Sequence, residues 1–204
     1  MEYESIVRNV LLGGWVTARA NVIKEGQNLL KGTVLSEIKS AAAAIAGEDN
    51  TGDGTVGSIA VGPKVAKGTY RLVCIGDGFN VISPKGYSCG YAVAGTGFVS
   101  DEISLTITAG TTEFAAGDVF TIAVSGAGKY RMVSKAAVDG SGTAEQVLMV
   151  DTDATEADKA SKGWESGEFD AAHLIVAEGE SAADYRDEMR VRSMIQIETV
   201  GGNY

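Results

Sequence analysis

The chain of 204 residues has few of the side chains on which most enzymes depend. It contains one histidine, two cysteines and two prolines. A Ser-His-Asp or Cys-His relay would have to use the single histidine, His173. That residue lies in the apolar run 171–175, where a structural histidine is the better interpretation. We therefore expect no catalytic residue, no cofactor and no enzymatic activity.

Metal ligands are equally scarce. One histidine and two cysteines fifteen positions apart cannot build a zinc site without carboxylates. The acidic turn 49–54 resembles the start of a calcium loop, but Ala60 stands where the bidentate Glu belongs. We expect no metal site. For Cys74 and Cys89 we expect buried, reduced thiols, and a single disulfide remains an open alternative.

Positive charge is also in short supply, with 17 Lys and Arg against 27 Asp and Glu and a net charge of −10. A chain of this kind repels phosphate, so we expect neither nucleic acid nor a membrane surface as a partner. No apolar run approaches the roughly 20 residues of a membrane-spanning helix. The N-terminal residues lack a signal-peptide pattern, so we expect synthesis in a cytoplasm.

The chain does contain ample apolar material and many turn-forming residues, at 45% hydrophobic side chains and 27 glycines. Glycines between short apolar runs predict many short strands, and segments such as 103–108 alternate as half-buried strands do. Short helices are predicted at 171–175 and 182–192, the second begun by a capping box of Ser181 and Asp184. The predicted fold class is α+β, mostly β.

A polar, Gly-rich stretch that begins at Gly47 marks the best candidate boundary in the chain. We predict an N-terminal arm at residues 1–16 and a discontinuous core domain at 17–46 and 128–204. Residues 47–127 are predicted to form an inserted antiparallel β-sandwich. Insertions are tolerated at exposed turns whose flanking strands lie close together.

Five stretches outside the insertion follow one another in a recognisable order and spacing. They are KGTVL at 31–35, KYRMV at 129–133, AEQVLMVDTDA at 144–154, GEFDAAHLI at 167–175 and YRDEMRVRSMIQI at 185–197. Together they resemble the head decoration proteins of tailed phages, the family of the phage lambda capsid-stabilising protein D. The insertion resembles the Gly/Thr-rich β modules found in many phage structural proteins.

The resemblance implies a capsid decoration, or cementing, protein on the outer surface of the virion. It implies a homotrimer that sits on three-fold sites of the expanded head, binds the major capsid protein and stabilises the shell against internal DNA pressure. The arm at residues 1–16 would bind the capsid. The candidate contacts in the arm are Tyr3, Ile6, Val7, Val10 and Leu11.

Two tryptophans, Trp15 and Trp164, are candidate anchors, either of a trimer interface or of the core. The alternative function is an outward-facing adhesion module whose inserted domain binds a host-surface glycan. Such a site needs exposed aromatic side chains, and the candidates are Tyr87, Tyr91 and Phe98.

Overall fold

The computed structural model describes residues 10–198, and within them the chain is mostly β. The strands are β1 (Leu11–Ile23), β2 (Gln27–Leu29), β3 (Val34–Ala41), β4 (Ile45–Ala46), β5 (Thr55–Val61), β6 (Gly68–Cys74), β7 (Gly78–Ile82), β8 (Ser88–Val93), β9 (Gly97–Val99), β10 (Ile103–Thr108), β11 (Val119–Met132), β12 (Gln146–Leu148), β13 (Thr152–Ala154), β14 (Lys159–Asp170) and β15 (Met194–Ile197). Two 3-10 helices, Ala171–His173 and Ala182–Tyr185, precede the α-helix α1 (Arg186–Val191). The predicted α+β, mostly β class is confirmed.

The chain divides into two compact units. Within the described residues, unit 1 comprises 10–37, 128–134 and 143–198, and unit 2 comprises 38–127 and 135–142. The segment predicted as an insertion, 47–127, therefore lies inside unit 2. Unit 2 also contains residues 38–46 and 135–142, which were not predicted to belong to the insertion.

Unit 2 starts before residue 47 because the end of β3 bonds to the loop 135–142. The backbone N–H of Lys39 donates to the carbonyl oxygen of Asp139 at 2.9 Å. The Lys39 ammonium donates to the carbonyl of Gly140, also at 2.9 Å, although the lysine side chain is buried. These hydrogen bonds satisfy the backbone N–H and the ammonium group of Lys39, which would be costly to bury without a partner.

The strands of unit 1 pair in a circuit that closes only at the end of β1, at Ile23. β14 pairs antiparallel with β1 on one side and with β12 on the other, and β12 pairs antiparallel with β3. The end of β11 completes the circuit through two backbone hydrogen bonds of 2.9 Å. The N–H of Val133 donates to the carbonyl oxygen of Val34, and the N–H of Lys24 donates to the carbonyl oxygen of Tyr130. β15 runs parallel to β14, and β2 and β13 form a separate ribbon.

Apolar side chains fill unit 1 in two clusters. One gathers around Trp164 and Phe169, whose ring centroids lie 5.8 Å apart, and the other around Ile23 and Leu35. The predicted capping box of Ser181 and Asp184 is present. The predicted helix 182–192 forms as a 3-10 turn followed by α1, and it buries Tyr185 and Met189.

Unit 2 contains two antiparallel sheets that share one apolar core, the arrangement of a β-sandwich. One sheet has the order β11-β6-β7-β8, with β4 beside β11, and the other has the order β5-β10-β9. Alternate residues point inward, as the two-residue period of a strand requires. In the first sheet these include Leu72 and Phe79, and in the second Ile103, Leu105 and Ile107. None of the helices between residues 10 and 198 is long and apolar enough to cross a membrane.

Candidate functional site

Strand β1 lies at an edge of the unit 1 sheet and is interrupted by a bulge. Gly13 lies opposite Glu168, and Thr17 lies opposite Ser166, so β1 has two more residues than β14 between these pairs. Gly14 takes up the irregularity with a φ of +84°, which L side chains rarely adopt. Bulges re-aim side chains at the edges of sheets, and this one turns the segment 14–16 outward.

A single buried hydroxyl group holds the bulge in place. The Ser166 Oγ accepts from the backbone N–H of Thr17 at 2.9 Å and donates to the carbonyl of Trp15 at 2.9 Å. It also lies 2.7 Å from the Thr17 hydroxyl. These bonds replace the ladder pairs that the bulge removes, so the backbone around Trp15 has a defined shape.

Three apolar side chains at and next to the bulge are exposed, and we call them the β1 patch: Leu12, Trp15 and Val16. Trp15 is 87% exposed, and Leu12 and Val16 are each 42% exposed. A large aromatic ring on a fixed backbone loses little conformational entropy when it binds, and tryptophan is enriched among residues that dominate interfaces. The β1 patch has the properties of a protein-binding surface.

The other predicted arm residues are placed differently. Tyr3, Ile6 and Val7 lie outside the described residues. Val10 is fully buried in the core of unit 1, where its carbonyl accepts from the N–H of Asp170 at 2.9 Å. Leu11 is half-buried and lies opposite Phe169. Capsid contact through this arm stays a prediction.

The two tryptophans have opposite environments. Trp15 is exposed, whereas Trp164 is buried in unit 1 against Phe169, with the Lys31 ammonium 5.8 Å from its ring centroid. The residues that the sequence interpretation missed are Leu12, Val16 and Ser166. The pair Gly13-Gly14 directly before a Trp-Val dipeptide was the available signal for the bulge.

His173 has a local structural partner. Its Nδ1 lies 2.7 Å from a carboxylate oxygen of Asp170, and the other oxygen of that carboxylate accepts from the N–H of Ala172 at 3.0 Å. Asp170 thus caps the 3-10 helix and orients the imidazole ring. This geometry fits the structural role expected from the sequence.

Within the acidic turn 49–54, Asp53 uses its carboxylate oxygens inside the protein. Asp53 accepts from the Thr111 hydroxyl at 2.7 Å and from the Thr112 N–H at 2.8 Å, and these bonds hold the pKa of its carboxyl below the usual range. The buried Asp118 accepts from the N–H groups of Thr51 and Gly52 at 2.8 and 2.9 Å. Among residues 10–198 no group of three or more His, Cys, Asp or Glu side chains is placed to hold a metal ion.

The cysteines are free thiols, so the open question of a disulfide is answered. Cys74 is buried and Cys89 is half-buried. Burial, together with the nearby Glu102 carboxylate, raises the pKa of the Cys89 thiol to about 11. A thiol of this kind is protonated at neutral pH and is a poor nucleophile.

The three aromatic residues considered for glycan binding fall into two groups. Phe98 is buried in the core of unit 2, whereas Tyr87 and Tyr91 are about half exposed. The Tyr87 hydroxyl donates to Glu102, which raises the pKa of Tyr87 to about 12. The Tyr91 hydroxyl donates to Asp77 at 2.5 Å. The hydroxyl groups of both tyrosines are therefore engaged within the protein.

Comparison with known families gives one clear result. The family model of the bacteriophage lambda head decoration protein D matches residues 92–193, which is half of the chain. The chain belongs to this family, and the membership indicates a role in decorating the phage head in association with the capsid. The match begins inside unit 2, well before the resemblance at 129–133.

Three similar solved structures are of flagellar proteins. Two crystal structures of FlgL from Xanthomonas campestris are 20% and 18% identical, cover 51% and 48% of this chain and 34% and 32% of theirs, and both have a TM-score of 0.34. The flagellar hook junction protein FlgK from Burkholderia pseudomallei is 18% identical, covers 61% of this chain and 24% of its own, and has a TM-score of 0.33. The chain spans about a third or less of these proteins, and likenesses this low carry no functional argument. No curated protein matches the chain.

Proposed function

We propose that the protein is a cementing protein that forms homotrimers on the three-fold sites of the expanded phage head. It binds the major capsid protein from outside and stabilises the shell against internal DNA pressure. The observation that carries the proposal is the family match over residues 92–193. The net charge of −10 supports an outer position, because an acidic chain gains nothing from contact with packaged DNA.

The β1 patch is the surface that we assign to the capsid. Its most exposed side chain, Trp15, lies within residues 1–16, the part of the chain that the resemblance assigns to the capsid-binding arm. The fixed bulge lowers the entropic cost of binding, and Leu12 and Val16 can exclude water around the indole. Three such patches on one trimer bind a three-fold site together, so individually weak contacts give a stable attachment.

The proposed action is non-enzymatic. Binding through an apolar patch needs no nucleophile and no bound group, and the one histidine is engaged by Asp170 at 2.7 Å. The protein then works by adding contacts between neighbouring capsid subunits.

The direct test mixes purified protein with undecorated expanded heads of the phage that encodes it. We expect saturable binding, and we expect Trp15→Ala to weaken it about thirtyfold, the equivalent of an interface anchor of about 2 kcal/mol. Val99→Ala is the matched control, because Val99 is an exposed apolar residue of unit 2. If Trp15→Ala binds heads as tightly as the native protein, the β1 patch is not part of the capsid contact. If the native protein does not bind heads, the cementing role is rejected.

Light scattering on the same variants measures their oligomeric state. It distinguishes a role of Trp15 in the capsid contact from a role in the trimer interface. If the β1 patch contacts the capsid, the Trp15→Ala variant should remain a trimer but bind heads more weakly. A variant that becomes monomeric would instead assign Trp15 to the trimer interface.

The arm requires a truncation that stops short of the core. Deletion of residues 1–9 leaves the buried Val10 and its bond from Asp170 in place. We expect this variant to fold and to bind heads more weakly than the full chain. Equal binding would show that residues 1–9 make no contact with the head.

Adhesion to a host-surface glycan through unit 2 is the second candidate. The half-exposed ring of Tyr91 favours it, because saccharides stack on aromatic faces beside polar groups, and Asp77 is hydrogen-bonded to this tyrosine. Binding to immobilised host glycans that is lost in Tyr91→Ala would support this role. Absence of binding by the native protein would exclude it.

A further inference from the structure

Unit 2 contains a cavity that no part of the decoration function uses. Its volume is about 220 Å³. An apolar cavity of about 150 Å³ is already large enough for a benzene molecule. The residues that line it are Cys74, Gly76, Asp77, Gly78, Phe79, Ala94, Ala109, Glu113 and Phe114.

The floor of the cavity is apolar and aromatic. Phe79 is buried, and its ring meets the ring of Phe114 edge to face, with centroids 4.9 Å apart. Phe79 also packs against Phe120 at 5.7 Å, so its position is fixed by the core. Phe114 lies so close to Gly52 that an added Cβ there would be 2.6 Å from its Cδ1 atom. These contacts hold the floor in shape before any ligand arrives.

The rim of the cavity is acidic. Asp77 and Glu113 are both exposed, and of the described residues that line the cavity none is Lys or Arg. The Tyr91 hydroxyl donates to the Asp77 carboxylate at 2.5 Å, which orients it and holds the pKa of Asp77 below its usual range. The rim therefore carries negative charge at neutral pH.

We propose that this cavity binds an organic ammonium ion, with its hydrocarbon part against Phe79 and Phe114 and its charged nitrogen between Asp77 and Glu113. The apolar floor excludes a strongly hydrated inorganic cation, and the acidic rim repels an anion. The cavity defines a binding site in unit 2 that is independent of the β1 patch.

Benzylamine and benzyl alcohol provide a matched pair of probes, because they share a ring and differ in charge. Titration of the isotope-labelled full chain, followed by amide NMR shifts, measures both affinities. We expect benzylamine to bind at least about fivefold more tightly and to shift amides of residues 74–79 and 113–114. Equal affinity for the neutral alcohol would overturn the proposal.

Substitutions at the rim and the floor locate the site. The double variant Asp77→Asn, Glu113→Gln removes the negative charge from exposed positions, and we expect it to weaken benzylamine binding about five- to tenfold. Asp101→Asn is the control, since Asp101 is an exposed carboxylate of unit 2 paired with Lys64 at 2.9 Å. An independent variant, Ala94→Leu, narrows the cavity and is expected to abolish binding. Unchanged binding in the double variant would overturn the proposal.

A lysine side chain of a protein partner and a free amine share this chemistry. A blocked tripeptide, acetyl-Gly-Lys-Gly-amide, is compared with benzylamine and with its Gln counterpart. Tighter binding of the Lys peptide than of benzylamine identifies a protein side chain as the ligand, and the reverse identifies small amines. If neither cation binds at millimolar concentration, the cavity has no such role.

Discussion

Unit 1 and unit 2 are both β structures, but they distribute their apolar side chains in different ways. Unit 1 has two separate apolar clusters and leaves Leu12, Trp15 and Val16 exposed together on one strand. Unit 2 gathers its apolar side chains into one core between two sheets. Burial of apolar area is the main source of stability, so we expect one core to hold unit 2 together and two clusters to hold unit 1 together.

The largest expected effect is the loss of an aromatic ring from the core of unit 2. Phe79→Ala should lower the free energy of unfolding by about 3–5 kcal/mol, because the buried ring contacts both Phe114 and Phe120. Hydrogen exchange measured by mass spectrometry should show the lost protection in residues 38–127.

The matched variant in unit 1 is Phe169→Ala, which removes an equally buried ring. Its lost protection should concentrate in residues 143–198. Uniform loss across both units in either variant would mean that the chain unfolds as one cooperative body, and the contrast between the units would fail.

Asp118→Asn should have the next largest effect, about 2–3 kcal/mol. The Asp118 carboxylate is buried and accepts three backbone N–H groups, from Thr51, Gly52 and Ala115, at 2.8–3.0 Å. Burial opposes ionisation, but these bonds prevail and hold the pKa of Asp118 below its usual range. Denaturant unfolding at pH 7 measures the loss.

The pH dependence of unfolding checks the same residue. Since the folded pKa of Asp118 is depressed, its contribution is present above the unfolded value of about 4 and is lost as the pH falls through the folded value. Asp118→Asn should therefore flatten the acid limb of stability. Asp49→Asn, an exposed control in the turn to which Asp118 bonds, should change stability by no more than about 0.5 kcal/mol.

A smaller effect is expected where unit 1 holds its bulge. Ser166→Ala removes the partner of both the Thr17 N–H and the Trp15 carbonyl and should cost about 1–2 kcal/mol. Faster exchange of the Thr17 amide is the specific signature. Thr17→Val keeps the hydrogen bond from the Thr17 amide to Ser166 and should lower the free energy of unfolding by less than Ser166→Ala does. An equal loss would mean that the bond between the Thr17 and Ser166 hydroxyl groups provides the stabilisation.

The smallest effect on stability should come from Trp15→Ala, which we expect to lie within about 0.5 kcal/mol of the native protein. The side chain is 87% exposed, so unfolding changes its environment little. Trp164→Ala is the contrast, with an expected cost of about 3–5 kcal/mol from the core. Chemical denaturation of both variants measures the difference, and a large loss in Trp15→Ala would place its ring in a contact of the folded chain.

The sequence predicted the elements that depend on local pattern. The alternating segment 103–108 forms β10, and the capping box at Ser181 forms as predicted. Local pattern could not predict whether Trp15 and Trp164 are exposed or buried, because their burial depends on residues that are distant in the sequence. Trp164 is buried between Val147 and Ala18 on the neighbouring strands, and Trp15 is exposed because β1 bulges opposite β14.

Strand β1 was the element least accessible to prediction. Its Gly13-Gly14 pair indicates a stop in any regular element, yet the strand continues through both residues to Ile23. The continuation depends on Ser166, which lies 151 positions from Trp15. A hydrogen bond at this sequence separation leaves no periodic signal along the chain.

The bulge in β1 also bears on how a free subunit avoids polymerising. Between Leu11 and Val22, and within the described residues, the strand has only β14 as a ladder neighbour, so one edge stays open. A long regular edge would template strand after strand from identical molecules. Here the ladder breaks at Gly14, so an incoming chain meets only short runs of aligned donors and acceptors. Under the proposed cementing role, this interruption would keep free copies of the protein from adding to one another strand by strand before they bind the head.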